Sequence, residues 1–187
     1  MAWTFFDVLD DVQFPHRWHL GDPFDLAGAQ IDPRMFTAAK RTGILGPLKV
    51  AVDIPGAPMD FTFAAFDMPV LTKRAAGILE EFCKGGIERI PVVTGSSIEE
   101  YEICNVLTVV NCLDETRSIV MYWEDIDGRP DKVGRYRQVA EMKINHDLAK
   151  GFHVFRLGGW KIALIVSGDV KRVLEDEHVT GIKFREV

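Results

Sequence analysis

Apolar residues recur at helical spacing in the middle of the chain, just ahead of a strand-like run. Thr72 precedes this stretch as a good N-cap residue, because its hydroxyl can accept a backbone N–H of the first turn. Gly85-Gly86 follows it, where glycine ends helices in the left-handed conformation, and Ile87 to Val93 then has strand composition. The pattern predicts a helix followed by a strand. The apolar positions on the helical face are Ala75, Ile78, Leu79 and Phe82.

The same order of features returns near the end of the chain, at an offset of 95 residues from Thr72 to Ser167. Gly181 takes the position of Gly86 and is expected to end the second helix, and Ile182 to Val187 is the predicted final strand. Two explanations stay open: a true structural repeat, or two unrelated capped helices that both end in glycine. The apolar face of the second helix consists of Val170, Val173 and Leu174.

Strand patterns fill most of the sequence between the two helices, where β-branched and other apolar residues are frequent. A highly charged segment, residues 124–137, interrupts them and is expected to be exposed, with a turn at Asp127-Gly128. Gly158-Gly159 predicts the turn of a hairpin. The predicted strands are Tyr101 to Leu113, Ser118 to Trp123, Gln138 to Ile144, Gly151 to Leu157 and Trp160 to Val166.

Prolines and aromatic residues dominate the first 69 residues, which hold seven of the nine prolines. Because proline removes a backbone donor and restricts φ, long regular elements are not expected there. Short strands are predicted at Leu48 to Ile54 and at Phe61 to Phe66, and a short helix at Met35 to Lys40.

These patterns predict an α+β fold with a mostly antiparallel sheet, two similar helix–strand units and a Pro/aromatic-rich N-terminal lobe. We expect residues 1–64 to form this lobe, packed on the core and not independent of it. Residues 65–187 are expected to form the α+β core domain.

Composition excludes several classes of protein. Hydrophobic residues make up 47% of the 187 residues and charged residues 27%, which is the balance of a globular protein with a buried core. The net charge is −6 and no run of Lys and Arg occurs, so no nucleic-acid partner is expected. No segment approaches the roughly 18 consecutive apolar residues of a membrane span, so no membrane partner is expected either.

Cysteine usage and the first residues favour a cytoplasmic protein. The three cysteines are odd in number and form no CxxC motif, which argues against a disulfide framework. Asp7, Asp10 and Asp11 come too early for a signal peptide.

No catalytic motif is present, since GxSxG, HExxH, Walker-type and GxGxxG patterns are all missing. His16 and His19 could share a metal ion, but the proline before them and the lack of nearby cysteine favour a structural role. We therefore predict no catalytic residue, metal or cofactor. Two alternatives stay open: a small enzyme that uses His146, His153 and nearby carboxylates, and a structural homo-oligomer that associates through the aromatic N-terminal lobe.

Two acidic segments are candidates for binding a partner protein, because aromatic residues beside carboxylates suit an interface with a basic surface. A solvated loop is the simpler explanation for either segment. The candidate residues are Glu99 and Glu100 in the first segment, and Tyr122, Trp123, Glu124, Asp125, Asp127 and Asp131 in the second.

From about residue 65 to the end, the chain resembles an immunity-protein family of bacterial polymorphic toxin systems, long catalogued as a domain of unknown function. The order of the matching segments and the closing segment carry the resemblance. The segments are Asp67, Leu71-Thr72, Gly86-Ile87, Ile90-Pro91-Val92, Tyr101, Asn105-Val106, Leu113-Asp114, Ser118, Phe155-Arg156-Leu157, Val166-Ser167, Leu174 and Thr180 to Phe184.

The resemblance implies a cytoplasmic antidote that neutralises a cognate toxin by direct contact, with no catalytic residues. The matching positions are expected to maintain the fold. The toxin is then expected to bind the loops between the two units, residues 94–101 and 123–137.

Overall fold

The computed structural model describes residues 3–95 and 100–187, and within these ranges it contains two large β-sheets and three α-helices. Short 3-10 helices lie at Pro33–Phe36, Ala65–Asp67 and Asp125–Asp127. The α-helices are α1 (Lys73–Cys83), α2 (His146–Ala149) and α3 (Gly168–Asp176). The strands are β1 (Phe5–Asp10), β2 (His19–Phe24), β3 (Leu48–Ile54), β4 (Phe61–Ala64), β5 (Met68–Thr72), β6 (Ile87–Thr94), β7 (Tyr101–Val106), β8 (Val109–Val110), β9 (Ile119–Tyr122), β10 (Tyr136–Ala140), β11 (Val154–Leu157), β12 (Trp160–Ser167) and β13 (Ile182–Glu186).

The predicted α+β fold is confirmed. One sheet has the strand order β13-β1-β12-β11-β8 and the other has the order β2-β3-β6-β7-β5-β4. A separate pair, β9 and β10, forms a two-stranded sheet. Most neighbouring strands are antiparallel, and the parallel pairs are β3 with β6 and β8 with β11.

The two helix–strand units have the same topology. In the first, α1 connects β5 to β6, and β7 lies between these strands and is antiparallel to both. In the second, α3 connects β12 to β13, and β1 lies between them in the same way. One arrangement is therefore used twice, each time completed by a strand from elsewhere in the chain.

Both helices begin where the sequence predicts. The Thr72 hydroxyl accepts the N–H of Ala75 and the Ser167 hydroxyl accepts the N–H of Val170, each at 3.4 Å. After α1, Lys84 and Gly85 have φ values of 46° and 83°, so the chain turns left-handed there.

The prediction that Gly181 ends the second helix is wrong. Helix α3 already ends at Asp176, and His178 takes a positive φ of 54°. Gly181, with φ +84°, instead precedes β13, where a Cβ would collide with the carbonyl oxygen of Phe61 and with Met59. The glycine is required for this close approach of two chain segments.

Some element bounds also differ from the predictions. The helix expected at Met35 to Lys40 is a single 3-10 turn, Pro33–Phe36. The long strand expected at Tyr101 to Leu113 is divided into β7 and β8. The division of the chain at residue 64 stays a prediction, although strands from both sides of that position share both sheets.

Helices α1 and α3 share one apolar core with one face of each sheet. Ala75 and Leu79 of α1 meet Val170 and Leu174 of α3 in this core, and all four are buried. The opposite face of each sheet is covered by its own apolar cluster, so both sheets are buried on two sides. None of the helices in the described ranges is long and apolar enough to cross a membrane.

Asp60 connects the two units through a single carboxylate. Oδ1 accepts the hydroxyl of Thr72 at 3.0 Å and Nη2 of Arg74 at 3.1 Å. Oδ2 accepts the backbone N–H and the hydroxyl of Thr180, at 3.0 and 2.9 Å. Burial opposes the charged form, but the bonds from Thr180 and Thr72 and the charge of Arg74 outweigh it and lower the pKa of Asp60.

We expect Asp60→Asn to lower the free energy of unfolding by about 2 kcal/mol at pH 7, because charge-assisted hydrogen bonds are lost. The folded-state pKa of Asp60 lies below the unfolded value of 3.8, so this stabilisation is present above that value and is lost as the pH falls through the folded pKa. Urea unfolding at pH 7 and pH 3 measures both effects. Asp176→Asn, an exposed change on α3, is the control, and equal losses at both pH values would contradict the role assigned to Asp60.

Candidate functional site

Strands β9 and β10 form a hairpin that is separate from the two large sheets; we call residues 119–140 the flap. Its base is an antiparallel pairing of Leu113 with Ile144, supported by the Asp114 N–H, which donates to the Lys143 carbonyl at 2.8 Å. The flap contains most of the residues predicted to bind a partner.

Two predicted partner-binding aromatic residues hold the flap together. The Tyr122 hydroxyl donates to Glu115 at 2.6 Å, and the Tyr136 hydroxyl donates to the same carboxylate, which lowers the pKa of Glu115. The cations of Lys132 and Arg137 lie over the ring of Trp123, at 4.8 and 5.2 Å from its centre. These contacts keep a two-stranded hairpin folded that would be marginal by itself.

Two of the four carboxylates of the flap pair with cations. Asp127 accepts Arg137 and also accepts the backbone N–H of Glu124, and Asp131 pairs with Arg129 at 2.9 Å. Between residues 119 and 140 there are four acidic and four basic side chains, so the flap carries no net charge.

The remaining predicted residues occupy varied positions. Glu124 and Asp125 are exposed on the flap. Glu100 is exposed away from the flap and pairs with Lys73 at 2.8 Å. Glu99 lies outside the described residues.

Apolar side chains that the sequence did not single out are exposed on the flap. Ile119 is 53% and Met121 49% exposed, and their alternation along β9 places them on one face. Ile126 near the tip is 90% exposed and Val133 is 41% exposed. Only their accessibility in the structure identifies them as surface residues, because the same residue types are buried elsewhere in the chain.

A cleft of about 250 Å³ lies at the root of the flap, next to Val139 of β10. The carboxylates of Asp7, Asp10 and Asp67 line it, together with Arg185. Arg185 pairs with Asp7 at 2.7 Å, but burial outweighs this pair and raises the pKa of Asp7 to about 6. The folded protein is therefore less stable with Asp7 ionised than with Asp7 protonated.

The guanidinium of Arg156 is fully buried near this cleft. Its Nη1 donates to the Ile162 carbonyl at 3.0 Å, while Nε and Nη2 have no partner in the described part of the chain. Burial lowers the pKa of Arg156 to about 10, and the negative charge of Asp67 partly offsets that effect.

His146 and His153 contact backbone and core groups and do not line the cleft. The two ring nitrogens of His146 lie 3.0 and 2.9 Å from the carbonyl oxygens of Trp3 and Val187. His153 Nδ1 lies 2.9 Å from the Ser167 hydroxyl. Among the described residues, no group of three or more His, Cys, Asp or Glu side chains could hold a metal ion.

The comparison with protein families identifies the chain. Residues 57–187 match the model of the immunity protein family named Imm11, which is well over half of the sequence. The chain belongs to the Imm11 immunity protein family. No curated protein matches the chain closely enough to count as a relative. The Imm11 match includes the flap and helices α1 to α3, while β1, which completes the second unit, precedes it.

We expect Asp7→Asn to stabilise the protein increasingly as the pH rises from 4 to 7.5. The folded-state pKa of about 6 exceeds the unfolded value of 3.8, so the folded protein binds the proton more tightly and the wild type loses stability as the pH rises through this interval. The variant does not titrate there, so its advantage should grow by about 1–3 kcal/mol. Chemical unfolding of both proteins across this pH range measures the change.

Arg185→Gln provides the companion measurement, because it removes the cation that favours ionised Asp7. The pKa of Asp7 should rise further in this variant, so its stability should keep falling up to a higher pH than that of the wild type. A difference between wild type and Asp7→Asn that stays constant with pH would show that Asp7 does not titrate in this interval.

Proposed function

We propose that this protein is a cytoplasmic antidote that binds a cognate bacterial toxin and neutralises it by direct contact. Membership of the Imm11 immunity protein family is the observation that carries the proposal. The toxin would be held away from its target by the bound protein, with no chemical step. The contacts of His146 and His153 with backbone carbonyls and with Ser167 support a structural role for both residues.

We infer that the flap is the surface that contacts the toxin. Methionine and aromatic residues are enriched at the centres of protein interfaces, and a group of exposed apolar side chains on one hairpin is typical of a surface that a partner covers. Glu124, Asp125 and Asp131 would lie around this group as the polar rim. Because the flap carries no net charge, a toxin surface with an apolar centre fits it better than a strongly basic one.

Co-expression tests the proposal. The toxin encoded beside this gene should lose its toxicity when this protein is made in the same cell, and the two proteins should purify together as a stable complex. Persisting toxicity combined with no complex in purified mixtures would refute the proposal. Catalytic amounts of this protein giving full protection would favour the enzyme alternative instead.

The double substitution of Met121→Ser and Ile126→Ser should weaken toxin binding by about 100-fold, because two apolar contacts of roughly 1–2 kcal/mol each are lost. Both side chains are exposed, so folding should be unaffected. Leu45→Ser is the matched control, since Leu45 is 99% exposed outside the flap. Titration calorimetry with the purified toxin measures all three proteins, and equal affinity of the double variant and the control would exclude the flap as the contact.

A further inference from the structure

The edges of the two large sheets are protected against pairing with another chain. On β13, Lys183 and Arg185 place charges along the edge, and they pair with Asp11 and Asp7. The outer N–H groups of β4 are already used, because Phe61 donates to the Thr180 carbonyl at 3.0 Å and Phe63 donates to Asp10 at 2.9 Å. Charges and occupied donors are common devices that prevent edge-to-edge association.

The remaining edges use other devices. Pro23 within β2 has no N–H, and its carbonyl already accepts the N–H of Ile31 at 2.9 Å. Strand β8 is only two residues long. Strand β10 has an irregular register between Tyr136 and Gln138, which bends its edge away from regular pairing.

Strand β9 has none of these devices. Its four residues, Ile119 to Tyr122, include no charge and no proline, and its pairing positions with β10 are consecutive along β9 itself. Ile119, Met121 and Tyr122 are all exposed. Isoleucine, valine and tyrosine also favour extended structure, so this edge is an open template for another strand.

The hydrogen-bond pattern shows which groups of β9 face outward. The Trp123 N–H donates across the hairpin to the Arg135 carbonyl at 2.9 Å. Because inward and outward N–H groups alternate along a strand, those of Tyr122 and Val120 point away from β10. Outside the β9–β10 pairing, neither N–H makes a backbone hydrogen bond in the described part of the chain.

We propose that β9 is the edge to which the toxin adds an extended strand, so that the flap becomes a three-stranded sheet in the complex. This inference rests on the proposed function. The toxin strand would be uncharged opposite β9 and would carry apolar side chains that meet Ile119 and Met121 on the exposed face. Main-chain hydrogen bonds to Val120 and Tyr122 would supply the register, as in other cases of strand addition.

Amide hydrogen exchange on the full chain tests the proposal directly. With the toxin encoded beside this gene bound, the amides of Val120 and Tyr122 should exchange at least about tenfold more slowly than in the free protein. A complex in which both amides exchange as in the free protein would overturn strand addition and leave toxin neutralisation intact. Failure to form any complex would remove the proposed function and this inference together.

A pair of substitutions at one position separates the backbone from the side chain. Val120→Pro removes the outward N–H without removing a β9–β10 hydrogen bond, and it should weaken toxin affinity about tenfold. Val120→Ala removes most of the same side chain and keeps the N–H, so its affinity should stay within about threefold of the wild type. Equal affinities of the two variants would contradict strand addition. If Val120→Pro does not fold, the exchange measurement on the native chain decides.

A second copy of this chain is the competing occupant of the same edge. In that case the two amides would be protected without toxin, in a manner that depends on protein concentration, and light scattering would show a dimer. That result would overturn the assignment of the edge to the toxin.

Discussion

The two helix–strand units are joined through the hydrogen bonds of one carboxylate, that of Asp60. It binds Thr72 and Arg74 at the start of α1 and Thr180 in the turn before β13, groups that lie far apart in sequence. A buried polar network is stabilising when each member is satisfied and costly when one is missing. The positions of α1 and of the last strand are therefore set together, and the apolar core between the helices follows from that placement.

Each unit also requires a strand from outside itself. In the first unit, the facing backbone groups of the parallel strands β5 and β6 are unpaired unless β7 lies between them. In the second unit, β1 has the same role between β12 and β13. For the first unit this strand follows soon after the helix in the chain. For the second it is Phe5–Asp10, at the opposite end of the sequence, so the first and last parts of the chain are held in one sheet.

Two buried charged groups near the flap lower the stability of the folded protein. Asp7 keeps a charge in a cleft where burial opposes it, and Arg156 is buried with two of its nitrogen atoms unpartnered. The flap beside this cleft exposes apolar side chains and an unpaired strand edge. Features that lower stability are often kept for the sake of function, and in this protein the buried charges lie next to the flap.

Local patterns in the sequence determined the two units, because caps, helical apolar spacing and strand composition act over a few residues. Thr72 and Ser167 were identified as caps for this reason, and the hairpin turn at Gly158-Gly159 is present as expected. The role of Gly181 was not predictable, because its cause is the approach of Phe61, more than one hundred residues away. Tertiary structure likewise decided that Asp127 and Asp131 of the flap are paired with cations and that Ile119 and Met121 are exposed, since accessibility depends on how the whole chain packs.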